Sequence, residues 1–143
     1  MITRGKPLSR IDTIGANGGE GLHYPSSIFH DQAEFLRAGD VKFPEIGNIK
    51  LAEKLVKEEY DEWMRELTYG SENDIKEALD LMYVTAQYLN TLLGPDKALD
   101  CWNALHSNNM SKCVDGKLVK REDGKVLKPE GYKKLNLKGV LDD

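Results

Sequence analysis

The sequence predicts an all-α fold: an antiparallel bundle of about four helices per subunit, completed by oligomerisation, with a short turn-rich or hairpin tail. Three observations lead to this prediction. Four segments repeat apolar residues at helical spacing, and turns containing glycine or proline separate them. The third segment is apolar on two opposite sides, which a single small chain does not readily cover. The length of 143 residues suits one domain with one core.

The composition divides the chain into three parts. Residues 1–27 are rich in glycine and lack periodicity, which is typical of an arm or loop. Within this arm, the run Gly-Leu-His-Tyr-Pro at 21–25 offers side chains to pack on the body or to cover a site. Residues 28–135 contain the helices and the turn-rich segment and form the predicted domain, and residues 136–143 form a C-terminal tail.

The first two helices are predicted from their ends. Ser26 or Ser27 is a suitable N-cap for a short first helix that ends near Gly39. Asn48 is the predicted N-cap of a second helix that continues until Gly70 stops it. The apolar residues at helical spacing in this second helix are Ile49, Leu51, Leu55, Val56, Trp63 and Leu67.

The third helix is predicted over residues 72–93. Ser71 and Asp74 resemble a capping box at its start, with Asp in place of the usual Glu or Gln. Because its apolar residues fall on two opposite sides, we expect this helix to be central and covered all round. One side comprises Ile75, Leu79, Met82, Ala86 and Leu89, and the other comprises Leu81, Val84 and Tyr88.

The fourth helix and the tail follow Gly94. Pro95 is typical of a helix start, and residues 96–111 are predicted to form the helix. After Ser111, two Asp-Gly turns flank short alternating segments, which predicts a hairpin or a turn-rich tail. This turn-rich tail, which begins after Ser111 and precedes the C-terminal residues 136–143, is rich in basic residues. They are Lys112, Lys117, Lys120, Arg121, Lys125 and Lys128.

The composition also limits the partners and the setting. A formal net charge of −4 argues against a surface for nucleic acid polymers. No apolar run approaches the roughly 20 residues needed to cross a membrane, so we expect no membrane segment. Cys101 and Cys113 follow no recognisable signal peptide, and we expect reduced thiols in a cytoplasmic protein.

Two pairs of acids lie on the apolar stripes of the second and third predicted helices. Glu59 and Glu62 are one helical turn apart, as are Glu77 and Asp80, and antiparallel packing would bring the pairs face to face. Buried carboxylates of like charge are unfavourable unless they are protonated, paired or bound to a cation. Since we find no basic residue on the same stripes beside them, a divalent metal site is the simplest remedy.

The type of ligand favours particular metals. Carboxylate oxygens without Cys or His favour Mg²⁺ or Mn²⁺ and disfavour zinc. A di-iron carboxylate bundle is a competitor, but its sites use Glu-x-x-His, and neither pair has a His at that position. His106 lies on a later helix, and we interpret it as a packing or substrate-side residue. The alternative for the acids is a solvated helix face.

These motifs resemble a known family. The acid pairs are similar to the signature of the all-α nucleoside triphosphate pyrophosphohydrolases, which include MazG, dimeric dUTPases and phosphoribosyl-ATP pyrophosphatases. The tail resembles that of small MazG-like proteins, many of them phage-encoded, and the resemblance covers residues 28–135. The residues that match are Glu58-Glu59-x-x-Glu62, Glu77-x-x-Asp80, His106-x-x-Asn109-Met110-Ser111-Lys112 and Arg121-x-Asp123-Gly124-Lys125-Val126-x-Lys128-Pro129.

The resemblance implies a reaction, an assembly and a set of residue roles. Water attacks the α-phosphorus of a nucleoside triphosphate, with substrates of the dGTP or dCTP type in the deoxynucleotide pool, and the subunits form a homodimer or homotetramer. Glu59, Glu62, Glu77 and Asp80 hold Mg²⁺ or Mn²⁺; Glu59 and Glu62 are catalytic, and Glu59 takes the proton of the water. Substrate binding is implied for Asn109, Lys112, Arg121, Lys125 and Lys128.

Other functions remain open from the sequence. The protein could be a non-catalytic module that binds nucleotide or metal, or a structural oligomerisation protein whose acids form salt bridges across an interface. The basic tail could be a solvated surface, and Asn109 could be a helix C-cap. Trp63 and Tyr83 could stack on a base or lie in the core.

Overall fold

The structure is a computed structural model, and it describes residues 27–143. The glycine-rich arm predicted for residues 1–27 lies outside the described residues, apart from Ser27. The predicted all-α fold is confirmed. The elements are α1 (Ile28–Ala38), a 3-10 turn (Ile46–Asn48), α2 (Ile49–Met64), α3 (Glu72–Leu93), α4 (Pro95–Met110), β1 (Cys113–Val114), β2 (Lys117–Leu118) and α5 (Lys138–Leu141).

The α3 helix is the centre of the bundle. It makes its most extensive contact with α2, and α1 and α4 pack against other parts of it. The α2 and α3 helices are antiparallel, because Trp63 and Ile75 line one groove near the connecting turn while Glu53 and Tyr88 line another groove farther away. This pairing brings Glu59 of the first acid pair opposite Glu77 and Asp80.

The predicted helix starts agree with the structure where a side chain caps the helix. The Ser27 hydroxyl accepts a hydrogen bond from the backbone N–H of His30 at 3.2 Å and begins α1. The Ser71 hydroxyl accepts one from the N–H of Asp74 at 3.0 Å and begins α3. The carboxylate of Asp74 accepts from the N–H of Gly70 at 2.8 Å, so the capping box closes one residue before the usual position.

The second helix differs from its prediction at both ends. It stops at Met64 rather than at Gly70, and Leu67 is 91% exposed, so no packing supports further helical turns there. At its start, the Asn48 side chain makes no capping hydrogen bond. Instead, the Glu45 carboxylate accepts a bond from a backbone N–H of the preceding 3-10 turn at 3.3 Å.

Residues 27–143 leave one side of α3 exposed. Ile75, Leu79 and Met82 are each more than half exposed, so the full cover expected for this helix is not supplied by residues 27–143 of one subunit, and its completion by oligomerisation stays a prediction. The buried apolar core is small because most of its members are alanines. It comprises Phe29, Ala33, Leu36, Ala52, Ala86 and Ala98.

The tail contains the predicted turns. Asp115 and Gly116 both adopt positive φ angles, 51° and 76°, as a two-residue hairpin turn between β1 and β2 requires. A second turn follows at Asp123 and Gly124, closed by a bridge between Lys120 and Val126. The predicted hairpin or turn-rich tail is therefore confirmed.

The C-terminal end packs back onto the bundle. The short α5 helix was not predicted, and its end is tied to α4 by Lys97, whose ammonium donates to the backbone carbonyls of Leu141 and Asp143 at 3.2 and 2.8 Å. Cys101 and Cys113 are free thiols. Within residues 27–143, no helix has the length and apolar character to cross a membrane.

Candidate metal centre

Three of the four predicted metal ligands meet between α2 and α3. Glu59, Glu77 and Asp80 each place one carboxylate oxygen within 4.8 Å of the other two. Glu62, one turn beyond Glu59 on α2, is exposed and lies outside this group. Glu59, Glu77 and Asp80 form the acidic centre.

The burial of the acidic centre distinguishes it from a solvated acidic face. The Glu77 side chain is only 12% exposed, and Glu59 is partly buried. The Oε2 atoms of Glu59 and Glu77 are both inaccessible to solvent and accept no hydrogen bond from the residues that the structure describes. A buried carboxylate oxygen without a partner loses its hydration without compensation. These two oxygens, with Asp80 beside them, are donor atoms that fit a hard divalent cation.

The electrostatics of the centre are unfavourable in the absence of a cation. Burial raises the pKa of Glu59 above its ordinary value of 4.5, and the negative charges of Glu62, Asp80 and Glu77 raise it further. Lys76 opposes this increase in the pKa of Glu59 by its positive charge. The centre therefore favours any ligand that adds positive charge.

Lys76 corrects one expectation from the sequence. Its ammonium lies 2.7 Å from Oδ2 of Asp80 and 3.8 Å from Oε1 of Glu77, so a basic residue does stand beside the acids. This pair raises the pKa of Lys76. The signal was present in the sequence, because residues four apart on a helix are neighbours and a long lysine side chain reaches along its own helix. With the three carboxylates ionised, this single ammonium leaves two negative charges uncompensated.

The predicted substrate residues lie in the C-terminal part of α4 and in the tail. Lys112 and Lys128 both place their ammonium groups over the ring of Tyr132, at 5.8 and 5.6 Å from its centroid. Asn109 accepts a hydrogen bond from Lys112 at 3.2 Å, so its side chain does not cap α4. The structure thus groups three of the five predicted residues around Tyr132.

The other two predicted substrate residues form a separate group. The Arg121 guanidinium donates two hydrogen bonds to the Asp123 carboxylate, at 3.2 and 2.6 Å, and the backbone N–H of Lys125 donates to the same carboxylate at 3.1 Å. These contacts lower the pKa of Asp123. Within residues 27–143, no hydrogen bond or ion pair joins any of the five to the acidic centre.

The remaining residues considered from the sequence have different environments. His106 is exposed on α4. Trp63 is partly buried and contacts the ring of Tyr60, with 6.3 Å between their centroids. Tyr83 is 41% exposed and meets Phe35 edge to face, with 5.7 Å between the ring centroids. The sequence does not indicate that Phe35 lies beside Tyr83, because the two residues belong to different helices and only the packing of α1 on α3 brings them together.

Comparison with protein-family models and with curated proteins gives no match for this chain. The resemblance to the all-α nucleoside triphosphate pyrophosphohydrolases depends on the short motifs alone, and membership of that family stays a prediction.

Proposed function

We propose that this protein is a Mg²⁺-dependent nucleoside triphosphate pyrophosphohydrolase, which converts a nucleoside triphosphate to the monophosphate and pyrophosphate. One observation gives the main support: Glu59 and Glu77 each bury a carboxylate oxygen without a partner, beside a third carboxylate from Asp80. The motif resemblance supplies the reaction. The substrate is a free nucleotide of the deoxynucleotide pool rather than a nucleic acid polymer, and the setting is the cytoplasm, or the host cytoplasm for a phage-encoded protein.

The acidic centre supplies the ligands and the base in this proposal. Glu59, Glu77 and Asp80 would hold Mg²⁺, or Mn²⁺ in its place, because carboxylate oxygens are preferred by both ions. A divalent cation held there would offset the charge of the triphosphate and would lower the pKa of a bound water. Glu59 accepts a proton as the water oxygen bonds to the α-phosphorus, and the bond from that phosphorus to the bridging oxygen breaks to release pyrophosphate. Glu62 is exposed on the same helix and completes the proposed ligand set.

The basic residues contribute differently in this proposal. Lys112 and Lys128 bind the β- and γ-phosphates, because neither forms an ion pair with a carboxylate in the described part of the chain. Arg121 already pairs with Asp123 through Nε and Nη2, so Nη1 is the part of its guanidinium left to donate to a phosphate. Lys125 and Asn109 complete the proposed substrate-binding set.

Substitution of a single carboxylate tests the catalytic assignment. We expect Glu59→Gln and Asp80→Asn to lower Mg²⁺-dependent pyrophosphate release by about 100-fold or more, because each removes a metal ligand and Glu59→Gln also removes the general base. Glu58→Gln is the matched control, since Glu58 lies on the same helix, is exposed and pairs with Lys54 instead. Circular dichroism would check the helical fold of each variant. Unchanged turnover in either variant of the acidic centre would contradict the assignment.

A second candidate function is a structural helical module, and Lys76 favours it. The Lys76 ammonium offsets one of the three negative charges of the acidic centre, so the protein itself supplies part of the compensation that a cation would give. A module of this kind would release no pyrophosphate and would not respond to Mg²⁺.

The melting temperature with and without Mg²⁺ separates the two candidates. A cation that binds only the folded chain at 100 times its dissociation constant stabilises it by about 2.7 kcal/mol. We therefore expect Mg²⁺ to raise the melting temperature relative to EDTA, and Glu77→Gln to reduce this increase. An equal melting temperature in both conditions would favour the structural module.

A further inference from the structure

A stripe of polar and aromatic side chains runs along one side of α3, from the acidic centre that α3 shares with α2 to the part of α3 that contacts α1. Its members recur at alternating spacings of four and three residues, so they fall on one side of the helix. We call this set the α3 stripe. It comprises Lys76, Asp80, Tyr83, Gln87 and Asn90. Helix faces that pack together are usually apolar, and so this composition requires an explanation.

The inner end of the α3 stripe is a buried amide network. Asn90 donates from its side-chain nitrogen to the carbonyl of Phe29 at 2.9 Å and to the side-chain oxygen of Gln32 at 2.8 Å. Asn90 and Gln32 are both fully buried. Gln32 in turn donates to the side-chain oxygen of Gln87 at 3.4 Å. The network therefore orients the side-chain amide of Gln87 through the hydrogen bond from Gln32.

Two amide groups in this network keep unused hydrogen-bonding capacity. The side-chain oxygen of Asn90 is buried and accepts no hydrogen bond from residues 27–143. The side-chain nitrogen of Gln87 donates no hydrogen bond within the same range, and Gln87 is only partly buried. The Asn90 oxygen lies on a fully buried residue, whereas the Gln87 nitrogen is on a partly exposed side chain and is the donor that a polar ligand can reach.

The middle of the α3 stripe is an exposed aromatic pair. The rings of Tyr83 and Phe35 meet edge to face at an interplanar angle of 85°, yet Tyr83 is 41% and Phe35 is 63% exposed. Tyr83 follows Asp80 by three residues, so the pair lies one helical turn from the acidic centre. The α3 stripe therefore presents a carboxylate (Asp80), an aromatic ring (Tyr83) and an amide (Gln87) in succession. We call the line of contact between α1 and this part of α3 the seam.

We propose that this seam between α1 and α3 binds the nucleobase of the substrate, an inference that rests on the proposed function. The base stacks on the Phe35–Tyr83 pair, because aromatic side chains stack on all types of nucleobase. The amide of Gln87 offers a donor and an acceptor to the edge of the base. The rise along α3 from Asp80 to Gln87 is about 10 Å, which lets one nucleotide extend from the carboxylates to the amide.

Equilibrium binding separates base recognition from phosphate recognition. The probes are nucleoside 5′-monophosphates with Mg²⁺, which are products and are not turned over, and inorganic pyrophosphate with Mg²⁺, which has no base. We expect Phe35→Ala and Tyr83→Ala to weaken monophosphate binding at least ~10-fold, the loss typical of a stacking contact, and to leave pyrophosphate binding unchanged. Gln87→Leu should reduce the difference in affinity between bases.

Two control variants accompany this experiment. Tyr60→Ala removes a tyrosine of similar exposure, 46%, from a different groove and should leave both affinities unchanged. Tyr83→Phe keeps the ring and should retain monophosphate binding. Full monophosphate affinity in both alanine variants would overturn the base site, as would an equal loss of pyrophosphate affinity. Wild-type protein that binds neither probe would overturn the proposed function as well.

Discussion

At the residue scale, Glu59 opposes folding of the metal-free protein at neutral pH. Its pKa is higher in the folded chain than its ordinary value of 4.5, because of burial first and the neighbouring carboxylates second. The folded state therefore binds this proton more tightly than the unfolded state does. It follows that the free energy of unfolding falls as the pH rises from about 4.5 through the folded pKa. A bound cation would reverse this effect.

The pH dependence of stability tests this account of Glu59. In EDTA, we expect Glu59→Gln to melt at a higher temperature than the wild type at pH 7, and the difference to shrink as the pH approaches 4, where Glu59 is protonated. Thermal melts followed by circular dichroism across this range would measure it. Glu58→Gln on the same helix should show no such trend. A Glu59→Gln variant that is less stable than the wild type at pH 7 would show that the carboxylate has a stabilising partner.

The sequence predicts the acidic centre only in part. Helical spacing places Glu59, Glu77 and Asp80 on facing stripes, and the structure brings these three together. The same spacing includes Glu62, yet this residue is exposed. Angular position alone does not decide how deeply a side chain lies between two helices. Angular position also fails to predict the ion pair between Lys76 and Asp80, because a flexible side chain reaches partners that its backbone direction does not indicate.

At the scale of the elements, the start of α3 depends on one hydroxyl. Ser71 accepts a hydrogen bond from the backbone of α3, and this helix supplies two of the three carboxylates. We expect Ser71→Ala to lower the free energy of unfolding by about 1 kcal/mol, because a backbone N–H at the helix start loses its partner. Urea denaturation would measure this change. Ser107→Ala, at an exposed position within α4, should change it by less than about 0.5 kcal/mol.

Helix ends were predictable where local chemistry sets them. The ends of α1, α3 and α4 follow from a serine cap, a glycine stop or a proline at the first turn, all of which act within a few residues. The end of α2 depends on packing instead. Leu67 continues the helical pattern in the sequence, but no neighbour from the described part of the chain covers it, and the helix ends before it.

At the scale of the whole molecule, one subunit leaves much apolar surface exposed. Phe29 and Leu36 are the only large members of the buried apolar core within residues 27–143. A groove of about 480 Å³ near the α2–α3 turn is lined by apolar side chains of both helices, including those of Ile75, Leu79 and Met82. Extended apolar surfaces of this kind mark interaction sites. The prediction of a homodimer or homotetramer therefore has a specific surface to test.

Light scattering at micromolar concentration tests the assembly. We expect the wild type to have the mass of two or four subunits, and Leu79→Glu to shift it towards the monomer, because a charge would be buried in the apolar contact. Leu141→Glu is the control, since Leu141 is similarly apolar but lies on the short α5 helix. A monomeric wild type would contradict the prediction of an oligomer.

The direct connection between α2 and α3 has a consequence for how the acidic centre could spread between proteins in evolution. Both halves of the acidic centre belong to one helical hairpin, so its ligands come from neighbouring stretches of the gene product rather than from distant ones. Contacts between segments close along the chain form at a low entropic cost during folding. A duplication or exchange of this single hairpin would consequently transfer the whole set of three carboxylates to a new bundle.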